Sequence, residues 1–585
     1  MKKKRKSSVL IRLFVDMGRQ RKSLYFVVFV IALSKFFLAI APRIGGKLTD
    51  QIVAYARQGQ YDIPHVIKMC VVLAILYLLG NGAEILIGTK MMGVSQSLIK
   101  NLRDRGFRKF NRLPISYIDS HPTGDIVSRM TNDLQSLTTA LESTLSVLIG
   151  QIILLVGVII MMLITNPLLT LIYFIVLPLG FLASGGIVAT CVKHVRKQSK
   201  FTGALSAIAI DSYSNYPIIK AYQCEDSKIK AFNVTNRNFY RQYVKAQFLT
   251  GFIMPISVIT SNVAYILECI IGGLFLIRGT LTLGEFQAFL LYGNMVLAPL
   301  TALSTAVNSI QTGLVAAERV YEFLDEPEES DEKDKAEINF DNFHGNIEFS
   351  KVKFGYSKDK ILMNDISFET RAGQTIAIVG PTGAGKTTLI NLLLRFYDIN
   401  DGQILMDSVS INDYSRNSLR KAYGIVLQDS WIFEGTIAEN ISYGKPDATR
   451  EEIIETAKRA YCDEFISRLP NGYDTVISDE KAGLSSGEKQ LLSIARTMLA
   501  NPRILILDEA TSQVDTKTEL VITNAMTELM SGRTCFVIAH RLFTIKNADK
   551  IIYMEDGDIK EVGSHIDLMN MNGKYATLYR SAAEV

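Results

Sequence analysis

The sequence predicts two parts in tandem, an α-helical membrane domain with six transmembrane helices and long cytoplasmic extensions, followed by an α/β domain. Three observations carry that expectation. Six apolar stretches long enough to cross a bilayer precede residue 312. From Phe343 onward, short β-rich runs alternate with helical patterns. Between them, residues 325–335 are charged and contain proline, which reads as a solvated connector. The expected boundaries are 1–324 for the membrane domain, 325–342 for the connector and 343–585 for the α/β domain. A chain of 585 residues exceeds one ordinary core, and 48% hydrophobic residues against 21% charge, with a mean hydropathy of +0.18, imply a membrane part.

The chain opens with a basic cluster, Met1-Lys-Lys-Lys-Arg-Lys6, and enters its first apolar stretch at 25–41. Further stretches follow at once, so a retained anchor is expected rather than a cleaved secretory signal. They cover 66–88, 145–164, 168–189, 251–277 and 286–311, and 145–164 carries no charge at all. Positive charge gathers in the N-terminal cluster, among Lys100, Arg103, Arg105, Arg108, Lys109 and Arg112, and among Lys193, Arg196, Lys197 and Lys200. These segments belong on the cytoplasmic side, with short outer turns near Asn166 and Arg278. The two cytoplasmic connections, about fifty residues each, have helix-forming composition and read as extensions of the spanning helices. Pro114-Ile-Ser-Tyr-Ile-Asp119 and Asp211-Ser-Tyr-Ser-Asn-Tyr-Pro217 read as turns at their far tips.

Charges inside apolar spans are costly, which makes Lys35, Glu84 and Glu268 candidates for a substrate cavity. Glu268 is expected to face a central cavity and favour cationic or polar substrate groups; the competing reading pairs such charges with each other or with interfacial water. Tyr292 and Asn294 are weaker cavity candidates, and Pro178, Pro255 and Pro299 permit bends. The net charge of +5 sits beside apolar runs, so no nucleic-acid partner is expected. Six cysteines and six histidines are scattered, without C-x-x-C or a ligand cluster, which argues against a disulfide framework and a transition-metal centre.

The strongest chemical signal is Gly380-Pro-Thr-Gly-Ala-Gly-Lys-Thr-Thr388, which fits G-x-x-x-x-G-K-[ST]. The apolar run 375–379 before it reads as a buried strand and 387–394 as a helix, so the loop lies at a helix N-terminus where free N–H groups attract phosphate. Gly380, Gly383 and Gly385 let the backbone wrap the phosphates, with Thr382 and Thr388 in the same cradle. Lys386 supplies positive charge at the β/γ-phosphates, and the Thr387 hydroxyl is a Mg²⁺ ligand. The second signal is Ile504-Leu-Ile-Leu-Asp508-Glu509, an apolar strand ending in two acids: Asp508 to hold Mg²⁺, Glu509 to orient or deprotonate water. Together they predict an α/β P-loop nucleotide-binding domain whose leading expected chemistry is ATP hydrolysis with Mg²⁺.

At this point the chain resembles a family, the ATP-binding cassette (ABC) transporters. Six spans followed by one cassette resemble an exporter-type half-transporter over essentially the whole chain. The resemblance implies that Tyr356, in Phe354-Gly-Tyr356, stacks on adenine, and that Gln428, in Val426-Leu-Gln-Asp429, links Mg²⁺ or water to the membrane interface. It implies that Ser512-Gln-Val-Asp515 crosses between subunits and that His540, in Ile538-Ala-His-Arg541, contacts the γ-phosphate. The family signature Leu-Ser-Gly-Gly-Gln stands here as Leu484-Ser485-Ser486-Gly487-Glu488. Ser485 and Gly487 are kept, whereas Ser486 adds a Cβ where backbone approach is tight and Glu488 adds negative charge near phosphates.

In this family a nucleotide lies between one subunit's phosphate loop and the other's signature, so a second half-transporter subunit is implied. The pattern most resembles the catalytically competent subunit of bacterial heterodimeric multidrug exporters, which favours a heterodimer over a homodimer. The implied setting is a bacterial inner (plasma) membrane, multi-pass, with the N-terminus and the cassette cytoplasmic. The implied work is ATP-driven export of amphipathic small molecules, lipids or peptides by alternating access. Import of a metal-chelate or siderophore by an exporter-shaped protein, and an ATP-gated channel, are the alternatives.

Overall fold

The computed structural model describes residues 2–59, 62–330, 332, 334–357, 360–427, 430–478, 483–508, 516–539 and 542–583. It divides into two compact units, one of Met1–Arg112 with His121–Pro327, the other of Leu113–Ser120 with Glu328–Val585.

The first unit is helical. In chain order its helices, with one short helix of the second unit between them, are α1 (Lys2–Asp16), α2 (Arg21–Gln58), α3 (Ile63–Phe110), α4 (Ile115–Ser120, second unit), α5 (Thr123–Ser128), α6 (Leu134–Thr139), α7 (Ser146–Thr165), α8 (Pro167–Ser214), α9 (Tyr216–Ala221), α10 (Glu225–Gly251), α11 (Ile253–Ile277) and α12 (Leu283–Asp325). The six expected apolar stretches lie in α2, α3, α7, α8, α11 and α12. Among the described residues, Arg21–Gln58, Ile63–Phe110, Thr123–Thr165 and Glu225–Ile277 are long and apolar enough to cross a membrane, and Pro167–Val176 is a shorter apolar segment. The segments expected as cytoplasmic extensions are helical: α3 and α8 each run for 48 residues.

Local sequence sets the helix starts. Asn166 is extended, its side chain accepts the Leu169 N–H, and Pro167 takes the first helical position, so the chain turns sharply between α7 and α8. Thr282 and Glu285 form a capping box at the start of α12. There α12 meets α2 at Gly46 and Gly284, where a Cβ on Gly46 would stand 2.2 Å from the Gly284 oxygen; only glycine permits that approach. Asp50 accepts bonds from the Gly284 N–H and the Thr282 hydroxyl, both at 2.7 Å. At the other end, Arg12 bonds both oxygens of Asp325 and lies over the Tyr321 ring, while Asp16 accepts from Arg105 and Tyr321. The amphipathic N-terminal helix is thereby fastened to α3 and α12.

Two expectations are corrected here. The segments around Tyr117 and Tyr216 form the short helices α4 and α9 rather than simple turns. The connector is not simply solvated. The Glu332 side chain is 6% exposed and accepts bonds from Lys335, Arg395 and Arg416, while Glu329 holds Arg420. Burial favours the neutral acid, but the bonds from Lys335, the Arg416 backbone and Arg395 win and pull its pKa down to about 2.

Among the described residues the second unit holds three sheets built from β1 (Ile347–Phe354), β2 (Met363–Thr370), β3 (Thr375–Val379), β4 (Asp401–Met406), β5 (Val409–Ser410), β6 (Tyr423–Val426), β7 (Gly435–Thr436), β8 (Val476–Ile477), β9 (Ile504–Asp508), β10 (Thr534–Ile538), β11 (Lys550–Glu555) and β12 (Asp558–Gly563). The largest has the order β12-β11-β3-β10-β9-β6, parallel except for β12; β2-β1-β4-β5 is antiparallel, and β7-β8 is a small pair. Residues of β3 alternate between two cores, Ala377 and Val379 in one, Ile376 and Ile378 in the other. Burial on both faces explains why its strands read as unbroken apolar runs.

Candidate functional site

Strand β3 ends at Val379 and the helix Lys386–Leu393 begins seven residues later, so the loop between them is a strand-to-helix turn, as expected. Gly380, Gly383 and Gly385 have φ of +150°, +83° and +99°. At Gly380 a Cβ would also stand 2.0 Å from the Met554 oxygen, so both conformation and space demand glycine there. Pro381, Thr382, Gly383 and Thr387 are exposed, leaving the outer face of the loop open. Lys386 is 9% exposed and donates to the Gly380 and Pro381 oxygens at 2.7 and 3.0 Å. Burial pushes its ammonium below its ordinary pKa, and Asp508 opposes that shift. The ammonium thus rests on neutral carbonyls at the head of an open anion cradle.

The sheet explains how distant segments reach this loop. In the parallel register β3 pairs with β10 at Ile378 and Ile538, and β10 pairs with β9 at Ile538 and Asp508. Asp508 therefore ends at the same sheet edge as the loop, one strand removed, close enough to act electrostatically on Lys386. Thr387 and Asp508 are hard oxygen donors of the kind that hold Mg²⁺ beside phosphates, and they fit that ion. Gln428, Glu509, His540 and the Ser512–Asp515 stretch lie outside the described residues.

Tyr356 is 55% exposed and its hydroxyl lies 3.0 Å from that of Thr388, on the helix after the loop. An exposed ring tied to the phosphate loop is suited to stacking on a base. Tyr397 packs edge-on against it, with centroids 5.0 Å apart, and its hydroxyl donates to Asp119 of α4 at 2.5 Å. The sequence reading missed Tyr397: its two partners lie far away in sequence, and no motif marks it.

The signature opens a helix. Ser485 caps the helix Ser486–Ala500, and Glu488 closes a capping box: its carboxylate accepts the Ser485 N–H at 2.7 Å and the Ser485 hydroxyl at 2.9 Å. The added negative charge is engaged by the helix's own first turn, a position that the helix dipole favours. Ser486 is exposed, so its Cβ meets no wall within this unit, whereas Gly487 is buried.

In the membrane unit the structure brings two of the three candidate charges together. Lys35, 9% exposed, donates to Glu84 at 2.9 Å. Glu268 belongs to another packing group and is fully buried, which corrects the expectation that it lines a cavity. It accepts a bond from the Tyr173 hydroxyl at 2.7 Å, and α12 approaches it at Gly293, where a Cβ would stand 3.1 Å from its carboxylate. Tyr292 is also fully buried, while Asn294 is exposed and donates to the Leu290 oxygen.

Comparison with known proteins gives a consistent result. Residues 24–300 match the family model of the ABC transporter transmembrane region and 363–512 match the ABC transporter family model. A fatty acid ABC transporter ATP-binding/permease protein of Mycobacterium bovis is 42% identical over 486 residues, 83% of this chain and 76% of that protein. An ATP-dependent lipid A-core flippase of Desulfotalea psychrophila is 38% identical, covering 83% of this chain and 85% of the flippase. A solved structure of a bacterial Atm1-family ABC exporter with ATP bound superposes with a TM-score of 0.76 at 30% identity, over 97% of this chain and 99% of that one.

Proposed function

We propose that this chain, which belongs to the ABC transporter family as an exporter-type member with transmembrane and ATP-binding domains, exports lipids or other amphipathic molecules by alternating access. It is an ATPase coupled to transport and a multi-pass membrane protein. The observation that carries the reading is the open glycine cradle with Lys386 resting on its carbonyls, in a chain similar to proteins named for fatty acid transport and lipid A flipping.

Binding of phosphate draws Lys386 from the Gly380 and Pro381 oxygens onto the ligand, while loop N–H groups, Thr382 and Thr388 complete the cradle. Thr387, Asp508 and Gln428 would hold Mg²⁺, which when bound neutralises phosphate charge. Glu509 orients the attacking water and His540 contacts the γ-phosphate. Ser485 and Gly487 serve the nucleotide of the opposing subunit. Closure of two cassettes around nucleotide favours one membrane state over the other, and hydrolysis releases it. The second subunit is a different half-transporter: a partner with an unaltered signature would complete the site that uses this chain's phosphate loop. The setting is a bacterial inner membrane with the N-terminus and the ATP-binding unit cytoplasmic.

The test is ATP-dependent uptake into inside-out vesicles of a labelled lipid, a cationic dye and a siderophore, with and without candidate partner subunits. Uptake of lipid or dye supports export; siderophore release to the cytoplasmic side, or ion current without solute movement, contradicts it. Glu509→Gln is expected to lower hydrolysis about 10²-fold or more with ATP binding kept.

A further inference from the structure

We infer that Glu268 is a proton-binding site: it holds a proton on Oε1 while α8, α11 and α12 are packed together and gives it to water when they part. The site lies wholly within the membrane unit, apart from the nucleotide loop. Three observations carry it. Glu268 is fully buried, in the apolar run 251–277. Its Oε2 accepts a bond from the Tyr173 hydroxyl of α8 at 2.7 Å, while its Oε1, also buried, has no hydrogen-bond partner among the described residues. Among the described residues no cation faces it. Tyr173 stands on α8, and Tyr265 and Cys269 lie beside it on α11; on α12 the approach is made by Gly293, and the neighbouring Tyr292 interacts with Arg43 of α2 and Tyr77 of α3.

These contacts decide which form of the acid fits. An ionised carboxylate here would keep one neutral donor and leave its other oxygen without water, donor or cation, a costly burial. The neutral acid leaves a single O–H group unpaired, a much smaller loss. The enclosure depends on how closely α12 approaches. A Cβ on Gly293 would run into the Tyr173 hydroxyl and stand 3.1 Å from Glu268 Oε2, and one on Gly272, a turn along α11, would stand 2.6 Å from the Phe286 ring of α12. Two glycines therefore let α12 seal the carboxyl against α8 and α11. When α12 draws back, water reaches Oε1, the O–H bond breaks, its electron pair stays on the oxygen and the proton passes to water; repacking takes a proton back from water. The packed state thus binds one proton more than the parted state, so rising pH opposes repacking. A transporter that alternates between membrane states acquires a pH dependence from this site, separate from any in the ATP-binding unit.

The test uses the full transporter with its partner subunit, in detergent for infrared spectroscopy and in proteoliposomes for transport. At about pH 6 the wild type is expected to show the carbonyl band of a neutral carboxylic acid that Glu268→Gln lacks. Gly293→Ala, which keeps the carboxyl but holds α12 away, is expected to lose that band too, with retained ATP hydrolysis as the check of folding. This arm needs no substrate and stands apart from the export reading. In the transport arm the labelled lipid or dye moved per ATP hydrolysed, a ratio that cancels titration in the ATP-binding unit, should fall about fivefold in the wild type as pH rises from about 6 to about 9. Glu268→Gln keeps an acceptor for Tyr173 and mimics the neutral acid, so its ratio should stay within about twofold over that range, and Glu268→Asp should restore the pH dependence. The same carbonyl band in wild type and Glu268→Gln, or the same pH profile in the two, would overturn the inference. Failure of every probe to move defeats the export reading instead, and the infrared band still decides this one.

Discussion

Two lysines, one in each unit, are buried to the same degree and do opposite things. Lys386 and Lys35 are both 9% exposed. Lys386 rests on two backbone carbonyls, whereas Lys35 donates to the carboxylate of Glu84. A buried ammonium on neutral acceptors lacks full compensation and gains by meeting an anion, so it is poised for a ligand. One already facing a carboxylate gains little from another anion and works as structural glue between α2 and α3. The partner rather than the burial separates a binding charge from a packing charge. Glu268 is enclosed with the neutral Tyr173 hydroxyl on one carboxylate oxygen, and its other oxygen has no hydrogen-bond partner among the described residues, so burial alone does not make it a packing charge.

That contrast can be broken by substitution. The largest effect is expected at Lys386: Lys386→Ala should lower ATP hydrolysis about 10²-fold or more with little change in melting temperature, because its hydrogen bonds go to the neutral Gly380 and Pro381 carbonyls. A large loss of stability with ATP binding intact would reverse its assignment. Glu332 is the packing case in the ATP-binding unit. Glu332→Ala orphans the Arg395 and Arg416 guanidiniums and should cost about 3 kcal/mol of stability, read as a lower melting temperature. The sign of its pH dependence follows from a pKa held at about 2, below the ordinary carboxylate value. The stabilisation is complete above that ordinary value and disappears as pH falls toward about 2; Glu332→Gln should flatten this acid limb of a thermal-stability profile.

Smaller effects sharpen the membrane side. Lys35→Met alone should weaken packing by about 1 kcal/mol, with Glu84→Gln compensating, and transport of cationic and neutral substrates should stay in the wild-type ratio. A changed ratio would return the pair to the substrate path. Glu268→Gln separates packing from cation selection in the same way: equal transport of cationic and neutral substrates fits the enclosed site. The smallest change is expected at Glu488→Gln, where a capping-box carboxylate becomes an amide: about 0.5 kcal/mol or less in stability.

The nucleotide loop was legible because its requirements are local. Positive φ, close backbone approach and a lysine at the helix start are all written within nine consecutive residues, and Asp508 needs only a strand to carry it. The helical character of the membrane unit was legible from apolar run length for the same reason. What escaped were contacts whose partners are far apart in sequence: Glu332 with Arg395 and Arg416, Tyr397 with Asp119, Glu268 with Tyr173. A charge in an apolar run announces a cost but not its partner. The capping box is a different case, because its spacing from Ser485 to Glu488 is local and is written in the sequence itself.

The central claim, that ATP hydrolysis at this cradle drives amphipathic molecules across the bilayer, is tested most directly by following a fluorescent lipid in inside-out proteoliposomes holding the chain and its partner. The account predicts ATP-dependent movement of lipid that stops with a non-hydrolysable ATP analogue and in Lys386→Ala. Vigorous ATP hydrolysis with no movement of lipid or of any amphipathic probe, or movement at an unchanged rate in Lys386→Ala, would contradict it.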